Sequence, residues 1–178
     1  IDGVDVTIID AAMPCMIMSA LDVRKSGYET ASELNADTLF FKRVEKMRLE
    51  AGHRMGLGDV SGQVQPKIVI LSPPRNGGSI TSRYFVPDKT HETHAITGGI
   101  AVAYASVTSG TVAEPLVELP TNGNKPKFSI EHPAGQLHLS LSLKDGKSGK
   151  EIEVAGITRT ARMIMRGSIM VPEHLMHR

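Results

Sequence analysis

Between Gln136 and Asp145 the chain alternates without a break, with Leu137, Leu139, Leu141 and Leu143 set against His138, Ser140, Ser142 and Lys144. A period of two is the mark of a half-buried strand. Similar patterns predict strands over Val4–Asp10, Met16–Ala20, Ser79–Val86, Lys127–His132 and from Lys150 toward Met165, while the unbroken apolar run Pro66–Ser72 predicts a fully buried one. Lys144-Asp145-Gly146-Lys147 reads as the turn of a hairpin, Met13-Pro14 as another turn, and Pro120–Pro126 as a surface loop.

Two stretches change the period. Leu39, Phe40, Val44, Met47 and Leu49 recur at helical spacing, with Lys42, Arg43, Glu45, Lys46, Arg48 and Glu50 on the other side, so this is a surface helix. Asn35 or Asp37 is placed to cap it, and Gly52 to end it. The second helix, Thr97–Thr108, is different. Ile100, Ala101, Val102, Ala103, Tyr104, Ala105 and Val107 leave it no polar face, and a helix apolar all round is a buried one. The expected class is α+β: a mixed β-sheet or barrel wrapped around a buried central helix.

Composition narrows the setting. The chain has 178 residues, 20 basic and 19 acidic, for a net charge of +1. That balance points to neither a nucleic acid nor a membrane surface as partner. No apolar run reaches the length of a spanning helix. The single cysteine, Cys15, leaves no internal disulfide and reads as a small core hydrophobe in a reduced, cytoplasmic setting. The chain opens on Ile1-Asp2-Gly3 and is strand-like by Val4, which reads as a piece whose beginning lies elsewhere.

The candidate chemistry lies in Thr90–Ala105, "THETHAITGGIAVAYA". A zinc-protease helix needs two histidines four apart; His91 and His94 are three apart and precede the helix, so no metal site is expected. A helix start, by contrast, offers unpaired N–H groups and the positive end of the helix dipole. Thr97 is expected as the N-cap, with Gly98 and Gly99 letting an anion approach the backbone. The plainer alternative is a capped core helix whose glycines relieve packing. Arg83 is a candidate carboxylate clamp and His91 a candidate acid or base.

In order along the chain, "VTIIDAAMPCMIM", "ELNADTLFFKRVEKMRLEAGHRMGLGDV", "PKIVILSPPRNGGSITSRYFVPDKTHETHAITGGIAVAYAS", "GTVAE", "FSIEHPAGQL" and "ITRTARMIMRGSIMVP" resemble the PrpF-type isomerases, from Val6 to Pro172. Glu131-His132-Pro133-Ala134-Gly135 and Arg159-Thr160-Ala161-Arg162 are the most specific pieces. Met13-Pro14 and "RMGLGDV" resemble the 4-oxalomesaconate tautomerase branch, with 2-methylaconitate isomerase as the runner-up.

The resemblance implies a diaminopimelate-epimerase-like fold with two lobes and a cleft between them. It also implies proton transfer on an unsaturated di- or tricarboxylate without cofactor or metal. Residues 1–178 then correspond to the C-terminal lobe, with about 150–178 packing toward an N-terminal lobe that this chain lacks. Thr97, Gly98 and Gly99 would bind a substrate carboxylate, Arg83 would assist, Met13 would shape the pocket, and His91 would be the acid/base candidate. Ala95 stands where related epimerases carry a cysteine. The family's lysine and cysteine acid/base candidates belong to the other lobe, so this lobe alone is expected to be inactive. The competing expectations are a non-catalytic, truncated carboxylate-binding or structural half-domain, and a second copy of this chain completing the cleft.

Overall fold

A computed structural model describes residues 1–86, 89–119, 127–146, 149–157 and 162–172. The expected loop at 120–126 and the Arg159–Ala161 motif lie outside the described residues. Strands β1 (Val6–Asp10) and β2 (Pro14–Ser19) form an antiparallel hairpin with Asp10 opposite Pro14. Two helices follow, and β3 (Lys67–Ser72) then returns parallel to β2, with Cys15 beside Lys67 and Ile17 beside Val69. Antiparallel to β3 runs β4 (Ile80–Val86), which sets Tyr84 opposite Val69, and the short β5 (Lys89–Thr90) pairs with β4.

β6 (Lys127–His132) lies parallel to β4, and β7 (Gly135–Gly146) and β8 (Gly149–Ile157) continue antiparallel. The mixed sheet has the order β1-β2-β3-β4-β6-β7-β8.

The helical hydrophobic pattern becomes two helices on one face. The first, α1 (Ala31–Ala36), was not expected; Thr30 and Glu33 close a capping box at its start. Asp37 caps α2 (Thr38–Arg54) by accepting from Phe40 N–H at 2.9 Å. Gly52 does not end α2. It lies inside the helix, close enough to Val60 that a Cβ there would stand 2.5 Å from Val60 Cγ2, and the chain turns only after Met55, at Gly56 with φ +75°. Phe40, Val44, Met47 and Ala51 pack on Met16, Met18, Ile68, Ile70 and Phe85 of the sheet.

The other face carries α3 (Ile96–Val107). Ala101, Val102, Ala103 and Ala105 meet Ile17, Val69, Leu71, Ile80, Phe128, Ile130 and the β7 leucines. Small side chains on the helix let the sheet come close on several sides, and the sheet curls until both edges reach it. At one edge Tyr104 Oη donates to Ile152 O of β8 at 3.1 Å; at the other, Val112 N–H, just beyond α3, donates to Thr7 Oγ1 of β1 at 3.0 Å. The result is the expected half-barrel around a central helix.

Residues 149–157 form β8 of this sheet, paired with β7 as the expected hairpin. Segment 162–172 has no regular structure, and Met163, Ile164, Met165, Ile169 and Met170 are exposed. Among the described residues no helix is long and apolar enough to cross a membrane.

Candidate active site at the start of the central helix

Strand register decides which side chains share the space with α3. On β4, Ile80, Ser82 and Tyr84 alternate with Thr81, Arg83 and Phe85, and Ile80 and Tyr84 belong to the α3 core while Phe85 belongs to the α2 core. The same parity puts Phe128, Ile130 and His132 on the α3 face of β6, and Cys15 and Lys67 on the α3 face of β2 and β3. Strand direction then brings the Ala11–Met13 turn, Lys67, Tyr84 and the His132–Gly135 turn to the end of the half-barrel where α3 begins.

The helix start differs from expectation in its cap. Ala95, extended at φ −68° and ψ 139°, is the N-cap, and among the described residues no side chain caps the helix. The ladder opens with Gly99 N–H donating to Ala95 O at 2.8 Å, which makes Ile96 already helical and Thr97 its second residue. The amides before Gly99 therefore face the open end without a side-chain acceptor, an arrangement suited to an anion.

Gly98 and Gly99 are both buried. A Cβ on Gly98 would stand 2.8 Å from Tyr84 Cζ, and one on Gly99 would stand 2.7 Å from Leu137 Cδ2. The space they leave is filled by Tyr84 and Leu137 of the sheet, so these glycines let sheet and helix meet, and what a ligand could reach here is the backbone amides.

Three histidines surround this start. His94 is buried; its Nδ1 lies 3.0 Å from Ala95 O and its Nε2 lies 3.1 Å from Ser82 Oγ. A carbonyl can only accept, so Nδ1 carries the proton and Nε2 accepts from the serine hydroxyl. Burial pushes the imidazole down to about 4, so it is neutral at pH 7.

His91 is half-buried and accepts from Thr93 N–H and Oγ1 at 3.2 and 3.1 Å through Nδ1. Its backbone N–H donates to Tyr84 O at 2.8 Å, which holds the loop against β4. His132, on the rim of β6, is also held below its ordinary range, first by burial and then by Arg83 and His91, against the carbonyl of Glu92. Its Nδ1 is buried and has no hydrogen-bond partner among the described residues. The same Glu92 carbonyl accepts from Ala134 N–H at 3.1 Å, tying the β6–β7 turn to the lead-in of α3.

The remaining candidates fall elsewhere. Arg83 does not face the helix start. It points to the α2 side, buried, donating from Nε to Glu29 O at 2.6 Å and from Nη1 to Ser82 O at 3.1 Å. Both these acceptors are backbone carbonyls, so in this structure the guanidinium ties β4 to the segment before α1 and does not reach the start of α3.

Met13 is half-buried in the β1–β2 turn and packs on the α3 core. Beside it a cleft of about 380 Å³ opens between Asp10, Ala11, Ala12, Ile100, Tyr104 and Ala155, where the two sheet edges approach α3. Cys15 is fully buried and burial pushes its thiol up to about 12, which makes it unreactive.

Glu131, adjacent to His132 but on the opposite face, accepts from Arg75 N–H, Asn76 N–H, Gly78 N–H and Thr81 Oγ1 at 2.9, 2.6, 2.8 and 2.9 Å. Burial alone would raise its pKa; these donors outweigh that and hold it below the usual range. It therefore fixes the Pro73–Gly78 loop. Among the described residues no group of three or more His, Cys, Asp or Glu side chains is arranged to hold a metal.

Reasoning from sequence missed His94, His132 and Tyr84 as parts of one site. The alternation of Lys127–His132 already puts His132 with Phe128 and Ile130, which was the available signal for one of them.

The profile of the family described as PrpF protein matches residues 2–172. Over 171 residues, the chain is 43% identical to YbhH of Escherichia coli (strain K12), covering 96% of this chain and 47% of that protein. It is 37% identical over 171 residues to the 4-oxalomesaconate tautomerase of Pseudomonas putida, covering 96% of this chain and 46% of the tautomerase. The crystal structure of a methylitaconate-delta-isomerase superposes with a TM-score of 0.79 at 24% identity, over 92% of this chain and 46% of that one. That likeness establishes the fold, a diaminopimelate-epimerase-like lobe. The chain spans about half the length of the curated relatives it matches.

Proposed function

Since this chain belongs to the PrpF family, we propose that it forms the carboxylate-binding half of the cleft of an isomerase working without cofactor or metal. The substrate is an unsaturated di- or tricarboxylate of the 4-oxalomesaconate kind. The carrying observation is the uncapped first turn of α3, opening where the sheet brings its histidines together. A carboxylate there is held by N–H groups and the helix dipole in a water-poor setting, where such donors act strongly. The identity to a 4-oxalomesaconate tautomerase, 37% against 26% for a 2-methyl-aconitate isomerase, favours the former substrate class.

The reaction moves one proton. A base removes it from a carbon next to a carboxylate or carbonyl, the double bond shifts, and an acid delivers a proton to the far carbon of the allylic system. Binding the carboxylate at α3 stabilises the negative charge that spreads toward it in the intermediate. His91, half-exposed in the lead-in to α3, is the acid/base candidate of this half. Its partner group comes from a complementary half, either a preceding lobe of the same protein or a second copy of this chain.

The test is to incubate the complete protein that carries this chain with 4-oxalomesaconate in deuterium oxide and follow the vinyl and methylene protons by NMR. Tautomerisation with deuterium incorporation at the allylic carbon is the expected result. Inertness toward oxalomesaconate, methylaconitate and methylitaconate alike would mean a non-catalytic carboxylate-binding protein.

A further inference from the structure

Tyr84 carries a polar group that no other described residue uses. The side chain is 1% exposed, and its hydroxyl has no hydrogen-bond partner among the described residues. A buried unpaired hydroxyl is destabilising, and native interiors seldom keep one without a reason. A phenylalanine would fill the same seat against Gly98 without that cost. The ring is fixed in place, with the imidazoles of His94 and His91 at 4.8 and 6.2 Å between ring centroids.

The position of the hydroxyl indicates its partner. It is bonded to Cζ, the atom 2.8 Å from where a Gly98 Cβ would stand, so it lies against the uncapped first turn of α3. On the same face of the sheet stands Lys67, 9% exposed and in none of the ion pairs among the described residues. Val69 is opposite Tyr84 and Lys67 is two residues before it on β3, which makes Lys67 the diagonal neighbour of Tyr84. Burial and the Cys15 thiol both push the phenol up, so it stays protonated and can only be satisfied as a donor by an acceptor that arrives from outside. A phenol O–H, a set of free amides and an unpaired ammonium all favour an anionic acceptor.

We propose that the Tyr84 hydroxyl is a substrate-binding group that donates to the carboxylate seated on the first turn of α3. It thereby selects a carboxylate over an uncharged group at that position. The inference rests on the carboxylate-binding reading above and adds a specific donor to it.

The experiment is Tyr84→Phe in the complete protein, with two readouts. The first is calorimetric binding of tricarballylate, a saturated tricarboxylate that cannot isomerise. The second is thermal unfolding without ligand. The expected result is a Kd about tenfold weaker, with a Tm unchanged or raised because an unsatisfied buried group has gone. A structural role would lower Tm and leave Kd alone.

An unchanged Kd overturns the inference whatever the Tm, and so does a wild-type protein that fails to bind tricarballylate at millimolar concentration. Weakened binding in a protein that turns over no unsaturated acid would sink the isomerase reading while this assignment stood. Turnover with the same KM in wild type and variant would do the opposite.

Discussion

Ser82 Oγ and His94 Nε2 lie 3.1 Å apart beneath the first turn of α3, and both side chains are buried. With Nδ1–H committed to Ala95 O, the pair joins the middle of β4 to the residue that starts the helix. Burial favours the neutral imidazole, because protonating Nε2 would put a charge in the interior that the serine hydroxyl, able to accept but uncharged, does not balance.

The pH dependence follows from that. His94 is held at about 4 when folded, against an ordinary value of 6.5. Between those values the unfolded chain binds the extra proton, so stability falls as pH drops from 6.5 to 4, by about 3 kcal/mol in all. His94→Gln cannot be protonated. In urea unfolding, the excess stability of wild type over this variant should be larger at pH 7 than at pH 4 by about that amount. A difference independent of pH would show that His94 is not the buried neutral group described.

Gly98→Ala places a methyl group against the Tyr84 ring. The expected cost is about 1–3 kcal/mol, the usual range for overpacking. In a Tyr84→Leu background the same change should cost markedly less, because the obstructing ring edge is gone. Equal costs in the two backgrounds, measured as a double-mutant cycle, would disprove the contact.

Glu131→Gln replaces an acceptor-only carboxylate with an amide whose NH₂ faces backbone N–H donors. Destabilisation of about 2–3 kcal/mol is expected. Faster amide exchange should be confined at first to Arg75, Asn76 and Gly78. Exchange unaltered at those three amides would exclude the anchoring role.

His91→Gln tests the acid/base assignment. The residue is half-exposed and its side-chain hydrogen bonds run to Thr93 in its own loop, so folding should be preserved while kcat falls about 100-fold. A full-speed variant would move the acid/base role to another group, with His132 the next candidate on the strength of its Nδ1, unpartnered among the described residues.

Much of the architecture was present in local pattern. The leucines of β7 face the core because alternation and pleat share a period of two, and β3 reads as buried because both its faces are apolar. The buried character of α3 follows from its lack of a polar side, which no solvated helix can have. Asp37 caps α2 as its side-chain chemistry predicts. The PrpF resemblance is carried by linear motifs, which are legible in the order of residues alone.

Tertiary structure decided what local pattern leaves open. Arg83 is flanked by Ser82 and Tyr84, and period two separates it from them, but only the packing of α3 and α2 on opposite faces determined that the arginine points away from the helix start. Thr97 has the chemistry of a cap, yet the lead-in held by the His91 backbone N–H and by His94 makes Ala95 the cap and leaves the first amides free. Gly98 and Gly99 suggested an open approach for a ligand, whereas the space belongs to Tyr84 and Leu137, residues distant in sequence. Periodicity is written into neighbours along the chain. Which face meets which partner, and which polar atom is left without one, depends on contacts between segments that only folding brings together.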